Sequence, residues 1–165
     1  MKQYLIICVF LFIGCHQEKS CTIKFSNNKL GHIIVPIKIN DIEIEAIFDT
    51  GAQASTITEN LAEKTNLEYS RDEHQLWFPQ FDKQFLKSYK AFESTIFIGN
   101  LKSQYAISLN VMSTCEGITI IGNDIIDQFC WLFDFTTQEL IVSTKRINIQ
   151  TDQFVKIPYV NKNRL

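Results

Sequence analysis

The chain has few of the residues from which metal and nucleic-acid sites are usually built. Its three histidines, His16, His32 and His74, stand apart from one another and from clustered acids, and its five cysteines show no Cys-x-x-Cys spacing. A zinc centre needs several N or S donors brought together from such spacings, so no metal site is expected. Excess positive charge is also missing. Lysine and arginine number 16 against 18 acidic residues, for a net charge of −2 and a pI near 5.9. A protein that neutralises phosphates needs a basic face, so nucleic acid is not an expected partner. There is no internal repeat and no low-complexity segment. Glycine is scarce, six in all, and none falls between Gly51 and Gly99. The one long apolar run, Tyr4 to Ile13, is too short for a spanning helix.

That run follows a basic start, Met1-Lys2, and leads into Phe12-Ile13-Gly14-Cys15, which resembles a bacterial lipobox. The resemblance implies that residues 1–14 are a lipoprotein signal peptide, cleaved before Cys15. The Cys15 thiol is then the lipidation site, holding the protein on a bilayer of the bacterial cell envelope, facing the periplasm or the surface. The alternative is a plain secretory signal in which Cys15 is incidental. Residues 15–22 read as a polar tether. Residues 23–165 have the length of one ordinary domain with its own core. Of the remaining cysteines, Cys130 lies in Phe129-Cys130-Trp131-Leu132-Phe133 and is expected as a buried apolar thiol. Cys21 and Cys115 are able to pair in an oxidising compartment, and their spacing does not decide whether they do.

The most informative stretch of what is present is Ile47-Phe48-Asp49-Thr50-Gly51-Ala52-Gln53-Ala54-Ser55-Thr56-Ile57. Ile33 to Ile39 and Ile42 to Phe48 alternate apolar and polar positions, and Asn40-Asp41 between them is a two-residue hairpin signal. The second strand therefore delivers one acid, Asp49, into a tight polar turn. An acid that works as general base or acid needs donors that fix its carboxylate, and Gly51 lets backbone N–H groups approach it. By itself Asp-Thr-Gly also suits an ordinary turn in which Asp49 caps backbone amides.

With its surroundings the stretch resembles the active-site loop of the retropepsin-like family of aspartic proteases. Ile118-Thr119-Ile120-Ile121-Gly122-Asn123-Asp124-Ile125-Ile126 is similar to that family's second signature, an apolar strand ending in glycine and followed by a short helix. The resemblance covers about Gly31 to Ser143. It implies an all-β fold, a single closed acid-protease barrel with one or two short helices. It assigns Asp49, Thr50 and Gly51 to catalysis, and Ala52, Ile121 and Gly122 to substrate binding. It also places the family's flap at residues 70–89, adding Trp77, Phe78 and Phe81 to the substrate contacts. Retroviral flaps have a glycine-rich tip; this chain has Leu76-Trp77-Phe78-Pro79-Gln80-Phe81-Asp82 instead. Those aromatics serve either as a lid over bound peptide or as packing on the domain itself.

Elsewhere Thr58 to Thr65 reads as a short helix with Thr58 as N-cap. Phe92–Ile98 and Leu101–Leu109 read as a hairpin through Gly99-Asn100, and a helix is expected from Asn123 to about Gln128. Trp131–Phe135 and Glu139–Ser143 read as strands around a turn at Thr136-Thr137-Gln138.

The mechanism implied by the resemblance uses two carboxylates that share one proton, and no cofactor. Only one Asp-Thr-Gly loop is present. Asp124 follows the glycine of the second signature and Asp134 lacks a following Thr-Gly, so neither supplies the second acid. The resemblance therefore implies a homodimer with one Asp49 from each subunit, acting on a peptide or protein substrate. Gln153 to Val160 suits either a strand in the dimer contact or a tail over its own domain. The competing function is a catalytically inactive binding or assembly module of the cell envelope.

Overall fold

The computed structural model describes residues 20–70, 72, 74–77, 85–92, 94–103, 109–113 and 119–148. The expected signal segment 1–14, Cys15, Phe78, Phe81, Cys115 and the 153–160 segment lie outside the described residues. The elements are, in order, β1 (Ser20–Lys24), β2 (Ser26–Asn27), β3 (Ile33–Ile39), β4 (Ile42–Phe48), β5 (Thr56–Thr58), α1 (Glu59–Lys64), β6 (His74–Trp77), β7 (Phe85–Lys90), β8 (Ile96–Ile98), β9 (Leu101–Lys102), β10 (Asn110–Met112), β11 (Thr119–Ile121), α2 (Asn123–Ile126), β12 (Cys130–Asp134) and β13 (Glu139–Ser143).

Alternation in the sequence sets the faces of the central hairpin. Val35, Ile37 and Ile39 of β3 and Ile44 and Ala46 of β4 are buried, while Lys38, Glu43 and Glu45 point the other way. Burying each such isoleucine contributes about 1.5–3 kcal/mol. Asn40 and Asp41 adopt φ of 48° and 65°, with Ile39 opposite Ile42, the double left-handed geometry of a two-residue hairpin turn. The turn at Gly99-Asn100 is also found, with Gly99 at φ 58° and Ile98 opposite Leu101. A side chain at Gly99 would meet the Cys21 Sγ and Ile23 at 2.9 Å. The strands either side of it are β8 and β9, and Ser103 N–H carries the pairing one step further by donating to the Ile96 carbonyl at 2.8 Å; residues 93 and 104–108 of the expected hairpin lie outside the described residues.

A 10-stranded sheet curls into a half-barrel in the order β6-β7-β10-β5-β11-β4-β3-β8-β9, with β2 added on β3. Most neighbours are antiparallel, but β11 runs parallel to β4, and β10 parallel to β5. Strand β11 thus slots between β4 and β5, the two strands that the Asp49 loop joins. The loop must arch over the end of β11, and this topology places the candidate site.

A second sheet, β1-β13-β12, packs below it through aromatic rings. Phe48 meets Trp131 and Phe133 edge-on at 5.0 and 5.1 Å, and Phe25 meets Phe133 at 5.3 Å. Phe48 is the last residue of β4, so this seam anchors the strand immediately before Asp49. β1 begins at Ser20, so the last residues assigned to the tether are paired with β13 and belong to the domain. Cys21 there donates to the Ile98 carbonyl at 3.4 Å, and Cys130 is half-buried at the start of β12 rather than enclosed in the core. Helix α1 starts at Glu59 as expected, but Thr58 makes no side-chain cap and its buried hydroxyl has no partner. Helix α2 ends at Ile126, two residues early, where the Trp131 Nε1 donates to the Ile126 carbonyl at 2.8 Å.

Candidate active site

Asp49 leaves the end of β4 with its carboxyl half-exposed. Its backbone N–H donates to the Ile121 carbonyl at 3.1 Å, which extends the β4–β11 pairing by one step. Gly51 N–H donates to Asp49 Oδ1 at 2.8 Å, and Ala52 N–H to the Asp49 carbonyl at 3.2 Å. A Cβ at Gly51 would stand 3.1 Å from Oδ1, so glycine lets this amide reach the carboxylate. One carboxylate oxygen is held and oriented by a neutral donor. The carboxyl group faces solvent at a fixed place.

The rest of the loop is held by groups far away in sequence. Asn123 Nδ2 donates to the Thr50 carbonyl at 3.1 Å, and Asn123 N–H to the Ala52 carbonyl at 2.9 Å. Gly122 stands where a Cβ would meet the Ala52 carbonyl oxygen at 2.8 Å and Ala54 C at 2.9 Å. Two backbones touch here, and only glycine fits. Asp124 then accepts three hydrogen bonds from Ser55: the N–H at 3.0 Å to each oxygen and the hydroxyl at 2.5 Å to Oδ1. Ile125 N–H donates to the same oxygen at 3.0 Å. The Ser55 hydroxyl accepts from Gly122 N–H at 2.9 Å, and the Ser55 carbonyl accepts from Asn110 N–H at 3.1 Å. A charge-assisted brace of this kind is stronger than neutral hydrogen bonds.

The structure therefore brings together Asp49, Thr50, Gly51, Ala52 and Gly122. Thr50 and Gly51 are exposed at the loop tip, and Ala52 is half-buried with both backbone groups bonded. Ile121 is fully buried, so its side chain packs the core under the loop instead of offering a surface to substrate. Trp77 ends β6 opposite Phe85 of β7, in an antiparallel hairpin that occupies the expected flap position; its tip lies outside the described residues. Sequence reading assigns no role to Ser55 or Asn123, and considers Asp124 only as a second acid, a role it rejects, without finding its bracing one. No local pattern links Ser55 to an acid 69 positions later. Among the described residues no group of three or more His, Cys, Asp or Glu is placed to hold a metal ion, and no helix is long and apolar enough to cross a membrane.

The sequence profile of the gag-polyprotein putative aspartyl protease family matches residues 35–128, from β3 through α2, and so includes both the Asp49 loop and the Gly122 segment that braces it. The chain belongs to this family. Among solved structures it is similar to a retropepsin-like aspartic protease from Rickettsia conorii, with 21% identity, TM-score 0.49, and 75% of this chain and 91% of that one covered. It is also similar to EIAV protease in complex with an inhibitor, with 19% identity, TM-score 0.47, and coverage of 62% and 91%. The retroviral protease-like domain of Ddi1 from Leishmania major gives 17% identity, TM-score 0.48, and coverage of 81% and 98%. No curated protein matches the chain in sequence.

Proposed function

We propose that the protein is an aspartic endopeptidase that works as a homodimer, with Asp49 of each subunit facing the other across a twofold axis. The observation that carries this reading is the single carboxylate of Asp49, half-exposed and oriented by Gly51 N–H, on a loop tied down by Asn123 and Asp124. Such a loop is half of a two-carboxylate site. Two like charges at close range cannot both ionise easily, so the pair holds one proton between them. The ionised Asp49 takes a proton from water as the water attacks the scissile carbonyl, while the protonated Asp49 of the other subunit donates to the carbonyl oxygen. The resulting tetrahedral diol collapses as the first Asp49 passes its proton to the leaving amide nitrogen, the C–N bond breaks, and the other subunit's ionised Asp49 takes back one diol proton as the carbonyl re-forms. Thr50, at the exposed tip, is the residue we assign to bracing the two loops across the interface.

The test is Asp49→Asn, which keeps the side chain's size but removes its shareable proton. Cleavage of a peptide library should fall by about 10³-fold or more with folding and dimerisation retained. Adding mutant to wild type under subunit exchange should lower activity below simple dilution, since mixed dimers hold one Asp and one Asn. Undiminished wild-type activity, with exchange confirmed independently, would remove the shared dyad. A strictly monomeric chain that cleaves nothing would favour the second reading, a binding or assembly module that has kept the loop.

The same proposal places the enzyme in the bacterial cell envelope, tethered by acylated Cys15. Its support is the lipobox-like Phe12-Ile13-Gly14-Cys15 at the end of a short apolar run. Mass spectrometry of the membrane-extracted protein should find residue 15 at the N-terminus with its thiol acylated; an unmodified Cys15 would rule the anchor out.

A further inference from the structure

Strand β1 begins at Ser20, which is paired with Ser143 on β13. Only His16, Gln17, Glu18 and Lys19 therefore separate the folded domain from Cys15, and none of them is apolar enough to enter a bilayer. Whatever path this stretch takes, the chain from Cys15 to Ser20 spans at most about 18 Å, because an extended chain advances only about 3.3–3.6 Å per residue. No hinge follows it. All five residues of β1 pair with β13, and the Cys21 Sγ donates to the Ile98 carbonyl at 3.4 Å, which fixes β1 to the large sheet as well.

The route from Ser20 to the candidate catalytic acid is also short. Cys21 is level with Val142 on β13, which is level with Trp131 on β12. Neighbouring strands lie about 4.8 Å apart, so Cys21 and Trp131 stand roughly 10 Å from each other across the small sheet. The Trp131 ring is held by its bond to the Ile126 carbonyl at 2.8 Å and meets the Phe48 ring at 5.0 Å. Phe48 adjoins Asp49. Paired backbones and touching rings thus put Asp49 within about 30 Å of Ser20.

Resting on the protease and anchor readings, we propose that the substrate is a polypeptide anchored in the same bilayer, cut in the stretch that adjoins it. Tether and domain together confine Asp49 to within about 50 Å of the bilayer surface. A twofold dimer has two such tethers, and both hold its shared site to the same bilayer. Bonds farther out along a co-anchored protein lie beyond the enzyme's reach. Within reach, confinement of enzyme and substrate to one surface replaces a search through solution with a short tethered one and raises their effective concentration. A co-anchored segment is therefore cut in preference to the same sequence free in solution.

The experiment takes a peptide that the wild-type protein cuts in detergent micelles and joins it to a transmembrane helix through helical spacers. Spacers of about 10, 30 and 70 residues set the cut site about 15, 45 and 105 Å from the surface. Each fusion is reconstituted with acylated full-length protein in vesicles of phosphatidylethanolamine and phosphatidylglycerol, and cleavage rates are read by mass spectrometry. The two nearer sites should be cut at similar rates, the farthest at least ten-fold more slowly, and the unanchored peptide at least ten-fold more slowly than the nearest. Inserting about 40 Gly and Ser residues after Lys19 adds about 35 Å of reach and should raise cutting of the farthest site at least three-fold. Equal rates at all three spacers, an unanchored peptide cut as fast as the nearest site, or no gain from the insertion would each overturn the proposal while leaving protease and anchor standing. A protein that cuts nothing in micelles removes the protease reading, and an unmodified Cys15 removes the anchor; the proposal falls with either, and the measurement that fails tells which.

Discussion

The two ends of strand β4 are built on different principles. At its start, Asn40 and Asp41 turn the chain through two residues with positive φ, and the pairing of Ile39 with Ile42 closes the hairpin. Every ingredient is local, apart from two hydrogen bonds from Asn40 Nδ2 to the carbonyls of Thr65 and Asn66. At its end, the Asp49 loop takes its shape from residues about 70 positions away: Ser55 to Asp124 is a separation of 69, and Thr50 to Asn123 one of 73. A hairpin turn needs only to reverse the chain. A loop that presents one oriented carboxyl must hold it at one place, and a short flexible turn cannot do that from its own residues.

If that contrast is right, damage to the far end should spread and damage to the near end should not. Asp124→Ala should have the largest effect of the framework changes. It removes the acceptor for Ser55 N–H and hydroxyl and for Ile125 N–H, leaving part-buried donors unpaired. About 2–4 kcal/mol of stability should be lost, together with most of the cleavage activity, in denaturant titrations and kcat/KM measurements. Retained activity would show that the loop holds its shape without the brace.

Gly122→Ala tests the same end through contact rather than hydrogen bonding. The new methyl would press on the Ala52 carbonyl and Ala54 backbone at under 3 Å. The expected cost is about 1–3 kcal/mol, with kcat falling more than KM rises, since the loop that carries Asp49 must shift. Asn40→Ala sharpens the comparison from the other side. It places alanine at φ 48° and removes two hydrogen bonds, for a cost of about 1–2 kcal/mol with kcat/KM unchanged. A large activity loss would mean that β4 couples its two ends, and the contrast would fail.

The smallest effect belongs to a turn remote from both ends. Asp134 accepts from Thr136 N–H at 2.8 Å and Thr137 N–H at 3.3 Å. These backbone donors hold its carboxyl below the ordinary value of 3.8. A folded-state value below the unfolded one contributes stability above that range, which is lost as pH falls through it. Asp134→Ala should therefore give a slightly lower Tm at neutral pH, and the difference from wild type should shrink in acid. Because the group is exposed, a difference persisting unchanged at low pH would assign the effect to turn geometry.

Much of this was legible in the chain alone. The 33–48 hairpin with its turn, the Asp49 loop, the two helices and the final strand pair all carry signals within a few residues of one another: alternation, a left-handed turn pair, Asp-Thr-Gly, a glycine after an apolar strand; the hairpin at the flap position was expected only from the family resemblance. Where the reading of the chain fell short, the deciding interaction was distant. Ser20–Thr22 look like a polar tether because their partners on β13, Ser143, Val142 and Ile141, are more than a hundred residues away. Thr58 looks like a helix cap, but its side chain is buried where β5 packs. Ile121 and Ile120 are indistinguishable in a run of isoleucines until register fixes which one faces the core; a shift of one residue exchanges the faces.

The sequence by itself determined the class of fold and the one acid on which the proposed protease function rests, since strand alternation, turn chemistry and a short motif act over neighbouring residues. Only the tertiary structure decided what holds that acid in place. The insertion of β11 between β4 and β5 brings Gly122, Asn123 and Asp124 under the Asp49 loop, and hydrogen bonds between residues some 70 positions apart form only once that sheet has closed.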